Sequence, residues 1–133
     1  MIAIFRFLVV VQALLTAVYW LLPYFDYHWL SIEELLVLED SGTGAAFISG
    51  DFFLWGIFAI WMALSLGLYF FVRLAREAFV VFYLVNFGLT LFMGVQVLTP
   101  LDQVVLGLLQ VGDGMLIAIA YFTSVSQKFR ASS

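Results

Sequence analysis

Apolar positions along this chain fall into four long runs, and the polar positions are confined to the stretches between them. Residues 2–22 make the first run, interrupted by Arg6, Gln12 and Thr16; residues 52–72, 79–98 and 100–123 make the others. About 20 apolar residues, rising about 1.5 Å each, cross a hydrocarbon core of about 30 Å, so each run predicts a transmembrane helix. The first is read as a span and not as a cleaved signal peptide. No small-x-small site follows it, and it ends in Tyr19-Trp20 as interfacial anchors do. The fourth opens on Thr99-Pro100-Leu101-Asp102, a helix start. The Thr hydroxyl can cap free N–H groups, Pro suits the first helical position, and the Asp carboxylate favours the positive end of the helix dipole.

Residues 23–51 form the one substantial polar stretch. Tyr24, Phe25, Tyr27 and Trp29 predict an aromatic belt at the membrane surface, with His28 an interfacial aromatic among them. Ser31-Ile32-Glu33-Glu34 fits a capping box. Ile32, Leu35, Leu36 and Leu38 then supply an apolar face, and Glu33, Glu34, Glu39 and Asp40 a wet one. The pattern predicts a short amphipathic helix lying in the interface. Arg73 to Glu77 reads as a tight charged turn, and residues 124–133 as a short polar tail.

Composition agrees with the pattern. Of 133 residues, 65% are hydrophobic and 11% charged, where a soluble domain would carry about 25% charged residues. The absence of cysteine excludes disulfides, thiolate metal sites and cysteine nucleophiles, and a single histidine leaves no multi-histidine metal or haem site. No cofactor is implied. Five scattered basic residues are too few for nucleic-acid binding.

Charge then orients the spans. Arg6, Arg73, Arg76, Lys128 and Arg130 all fall on one side of a four-span chain, while seven of the nine acidic residues (Asp26, Glu33, Glu34, Glu39, Asp40, Asp51 and Asp102) fall on the other. The positive-inside rule puts both termini in the cytoplasm. The expected fold is an all-α integral membrane protein, four transmembrane helices in an up-down bundle with the interfacial helix in its first extracytoplasmic loop. The expected location is a bacterial inner membrane.

Within the spans a few polar positions stand out. Asp113 lies near the middle of the fourth, at a cost of about 2.5–3.5 kcal/mol on insertion scales. Gln12 and Asn86 stand at similar depth on the first and third. Gln103, Gly107, Gln110 and Gly114 share a face of the fourth helix with Asp113 at its edge. Polar groups in lipid turn toward partners, so Gln12, Asn86, Gln110 and Asp113 are expected to converge in the interior. No cation lies at that depth, so Asp113 is expected to be neutral and to donate a hydrogen bond to one of the carboxamides. On the second span Ala59, Ala63 and Gly67 recur every four residues, a stripe that lets another helix approach closely.

These residues supply no nucleophile–base pair, metal cluster or phosphate loop. The expectation is a non-enzymatic membrane protein of accessory or interaction type, acting through helix packing and the acidic outer surface of Glu33, Glu34, Glu39 and Asp40. Its partners would be the bilayer and a membrane protein or a second copy. The alternative is an oligomeric proton or cation transporter or channel that uses Asp113.

Overall fold

A computed structural model describes residues 1–39, 41, 44–45 and 51–131, apart from the side chains of Tyr27, Asp51 and Ala131. The described residues form helices and connections, with no strand among them. Helix α1 spans Ile2–Trp29, α2 Ile32–Glu39, α3 Asp51–Tyr69, α4 Arg73–Leu89, α5 Pro100–Phe122 and α6 Ser126–Ala131. A 3-10 turn, Thr90–Phe92, prolongs α4. Four of these segments, Ile2–Asp26, Phe52–Tyr69, Arg73–Phe92 and Pro100–Phe122, are long and apolar enough to cross a membrane.

The bounds of the first and third spans differ most from the sequence reading. Helix α1 does not stop at residue 22 but continues through Pro23 to Trp29. Proline removes one hydrogen bond of a helix interior, yet Leu22 is buried against Val105 and Leu109 of α5 and holds that part of α1 in place. The third span begins at Arg73, not at residue 79, and helical structure ends by Phe92, with residues 94–99 non-helical. Its early start follows from close packing. A Cβ on Gly67 of α3 would overlap the Cβ of Ala75, so the charged stretch is drawn into the first turns of α4. The capping box predicted at Ser31 forms, and the helix start at Thr99 is a second one. Thr99 Oγ1 accepts from the Asp102 N–H at 3.1 Å, and Asp102 Oδ2 accepts from the Thr99 N–H at 3.1 Å. At α2, Glu34 Oε2 accepts from the Ser31 N–H and hydroxyl, both at 2.8 Å.

Helix α1 packs along α5 and α3, and α3 packs along α4, whereas α4 meets α5 only sparsely. The main core lies at the end where the basic residues gather. There Phe5 and Val9 of α1, Leu68, Phe71, Phe79 of α4, Leu116 and Ala120 of α5, and Val125 and Phe129 are buried together. Phe5 stacks on Phe71 with ring centroids 5.7 Å apart, and Phe129 sets its edge against both rings. Much of this contradicts the reading of residues 124–133 as a polar tail. Val125 and Phe129 are fully buried, and α6 folds back to close the core. Arg76 seals its rim, the guanidinium 4.4 Å from the Tyr121 ring centroid and 5.4 Å from that of Phe129.

The α3–α4 turn that delivers Phe71 ends α3 in a Schellman motif. The Val72 N–H bonds Gly67 O at 2.9 Å and the Phe71 N–H bonds Leu68 O at 3.1 Å. Phe71 occupies the left-handed position, φ 60°, where glycine is usual. That conformation costs a non-glycine residue about 1–2 kcal/mol. Burial of the ring offsets it, since truncating a core Phe to Ala costs about 3–5 kcal/mol. Both Phe71→Ala and Phe71→Gly should therefore lower the unfolding midpoint in detergent, with Gly the less damaging by about 1 kcal/mol because it alone removes the strain. An Ala variant as stable as the Gly variant would show the turn to be unstrained.

Candidate functional site

On α5 the buried positions are Val105, Leu109, Asp113, Leu116 and Ala120, one stripe at helical spacing that faces α1. Asp113 thus belongs to the apolar seam and not to the edge of the polar face. Gln103, Gly107, Gln110 and Gly114 are turned outward. Asp113 retains 7% of its exposure and Gln12, opposite it on α1, 5%. The Gln12 Nε2 amide donates to Asp113 Oδ1 at 2.9 Å and also to the Leu109 carbonyl. Asp113 therefore accepts here, where a donor was expected. Among the described residues Gln12 is its one hydrogen-bond partner. Their meeting depends on Gly112, where an added Cβ would fall on the Gln12 carboxamide.

Asn86 and Gln110, the other two residues expected in the interior, do not join that pair. Asn86 donates from Nδ2 to the Phe82 carbonyl of its own helix at 2.8 Å, and Thr90 likewise bonds Phe87 O at 2.6 Å. A polar side chain in lipid can satisfy itself on the backbone one turn earlier, and so need not turn inward. Gln110 is exposed. Yet Asn86, Gln110 and Asp113 all line one space. Beyond Phe79, α4 and α5 part and leave a cleft of about 840 Å³ that runs between α1, α3, α4 and α5 toward the acidic end. Its wall is mainly apolar and aromatic, with Tyr19, Trp20, Trp55, Trp61 and Tyr83 among the rings. Asp26, Glu39 and Asp102 stand toward its mouth and Asp113 at its inner end. The sequence signal for this cleft was slight. Nothing in the periodicity of α4 says that its upper half will leave α5.

The packing stripe divides. Gly67 lies against Ala75, while Ala59 and Ala63 are exposed on the outward face of α3, beside Gly56. Of the aromatic residues Phe5, Phe71, Phe79 and Phe129 are buried, and Trp61 is set edge-on to Phe79 and Phe82 at 5.1 and 5.3 Å. Of the acidic surface, Glu33, Glu34 and Glu39 are exposed, and Asp40 lies outside the described residues. Hydrogen bonds from the Ser31 N–H and hydroxyl hold the Glu34 carboxyl below the usual range. His28 is exposed. Among the described residues no three His, Asp or Glu side chains gather as a metal ion would require. Compared with known proteins, the chain matches no family, no curated protein and no solved structure.

Gly112→Ala should break the Gln12–Asp113 contact and destabilise the protein by about 1–3 kcal/mol, the cost of overpacking. Gly114→Ala, where an added Cβ meets nothing within 4 Å, is the control and should stay within about 0.5 kcal/mol. Equal unfolding midpoints for the two would refute the close approach of α1 to α5.

At α2 the sign of the pH effect is set by the lowered Glu34 carboxyl. Its ionised form favours the folded cap, so the contribution is present above the ordinary Glu value of about 4.3 and is lost as pH falls through the lower, folded-state value. Amide-exchange protection of α2 should weaken across that interval. Ser31→Ala removes the hydroxyl donor and keeps the N–H, so it should raise the Glu34 titration, followed by carboxyl NMR, only part of the way to the ordinary value.

Proposed function

We propose that this chain is a non-enzymatic integral membrane protein, an accessory or interaction subunit that works through helix contacts and its acidic outer surface. In this reading the long helices form an up-down bundle in a bacterial inner membrane, α2 lies in the extracytoplasmic interface, and both termini are cytoplasmic. Support for the orientation comes from charge. Arg6, Arg73, Arg76, Lys128 and Arg130 lie toward one end, and Asp26, Glu33, Glu34, Glu39 and Asp102 toward the other. The observation that carries the interaction reading is the outward face of α3. Gly56, Ala59 and Ala63 are exposed there at helical spacing, which lets a helix of a second subunit approach the α3 backbone closely. Native mass measurement after extraction in gentle detergent tests it. A complex that Ala59→Leu and Ala63→Leu disperse is expected, and a strictly monomeric protein would overturn the reading.

A second reading, passage of a proton or cation at Asp113, is favoured by one feature. The cleft leads from the acidic end to that carboxyl within a single chain, and the Phe5–Phe71–Phe129 cluster closes the other end.

Variants of Asp113 separate the two. Asn keeps the acceptor for Gln12 and should leave stability nearly unchanged, whereas Leu leaves the Gln12 amide with the Leu109 carbonyl alone and should lose about 0.6–2 kcal/mol. Under the accessory reading Asp113→Asn also retains the partner. Under the transport reading it abolishes proton or cation flux in reconstituted vesicles. Flux at background in both wild type and Asn would end the second reading.

A further inference from the structure

We infer that the cleft between α4 and α5 is a binding site for a lipophilic organic cation, its charge set against Asp113 and its apolar body against the ring-lined wall. The inference deepens the second reading and rests on it only for the access to Asp113. Binding is claimed whether or not the guest is carried across.

Size, surface and charge each narrow the guest. About 840 Å³ lies within the range of about 300–1,000 Å³ typical of small-molecule sites, most of which are apolar with a few convergent polar groups. The wall presents Trp20, Trp55, Trp61 and Tyr83, whose ring faces attract cations and whose bodies attract apolar surface. Every ionisable group on it other than tyrosine is an acid: Asp26, Glu39, Asp102 and Asp113. No Lys, Arg or His lines it among the described residues. Asp26 and Asp102 line the same cleft. An anion entering this space would meet carboxyls from mouth to floor, and a neutral apolar guest would leave them unanswered.

Asp113 supplies the inner anchor. The residue is more than nine-tenths buried, Gln12 holds its Oδ1, and it lines the cleft. Because the acids are strung along the cleft and do not converge, the arrangement suits a cation with a bulky apolar body, not a bare metal ion, which needs several oxygen ligands at one point.

The experiment uses the purified full chain in a non-ionic detergent with two probes of nearly equal size and opposite charge, tetraphenylphosphonium and tetraphenylborate. Binding is followed by equilibrium dialysis and by quenching of tryptophan fluorescence. Saturable binding of one phosphonium per chain is expected, with borate bound no more than by empty micelles. Asp113→Asn should weaken phosphonium binding at least about tenfold. Leu106→Trp, which fills the cleft from α5 and leaves its carboxyls in place, should weaken it as much. Borate binding as tight as phosphonium would reduce the cleft to an apolar sink and overturn the proposal. So would full affinity in Asp113→Asn or in Leu106→Trp, or the absence of saturable binding in the wild type. If Asp113→Asn does not fold, the paired probes on the wild type and the Leu106→Trp variant decide the matter. Saturable phosphonium binding without flux removes the transport reading alone; proton flux without phosphonium binding removes this inference alone.

Discussion

The absence of water from a bilayer interior governs this molecule, and the Gln12–Asp113 contact is where that constraint bites hardest. A carboxyl at mid-depth must be answered by something within reach, since an unsatisfied polar group in hydrocarbon costs several kcal/mol. The answer is a carboxamide on the neighbouring helix, and it can arrive only because Gly112 leaves the space open. The bond ties α1 to α5 in a single register, which fixes where Phe5 and Val9 fall below it and where Leu22 meets Val105 and Leu109 above it.

That contact also marks a border between two kinds of packing. On the basic side, phenylalanines from α1, the α3–α4 turn, α4 and α6 interlock, and two arginines lie over aromatic rings, Arg6 over Tyr69 and Phe71, Arg76 over Tyr121 and Phe129. On the acidic side α1 and α5 stay paired while α4 leans away, and polar residues of α4 turn to their own backbone. The connection from α4 to α5 is held there by a hydrogen bond from the Val97 N–H to Ser41 Oγ, 3.2 Å. One half of the protein is therefore built like a core and the other like a vessel.

The four long apolar helices, the capping box at Ser31 and the helix start at Thr99 could be read from the sequence because each rests on local pattern: run length, and a Ser or Thr three residues before an acid. The pairing of Gln12 with Asp113 was within reach for the same reason, one polar group needing another. What escaped the reading depends on choices among several satisfactory partners. Asn86 could bond across helices or to Phe82 O, and only the packing of α4 decides between them. The end of α1 is not legible in the sequence because the apolar run breaks after Leu22 whereas the helix continues to Trp29. The role of residues 124–131 was missed because Lys128 and Arg130 overshadowed Val125 and Phe129, whose i, i+4 spacing was the available clue.

The burial of Phe129 beside Phe5 has a consequence for how the protein is made. The two rings lie 5.9 Å apart although 124 positions separate them in the chain. Synthesis proceeds from the first span onward, so α1 enters the bilayer with Phe5 facing a space that nothing yet fills. Each later helix can insert on its own hydrophobicity, but the aromatic cluster cannot close until residue 129 has left the ribosome. Assembly is thus post-insertional at this end of the molecule. The helices are placed first, and the aromatic cluster between them closes last, with the six residues of α6.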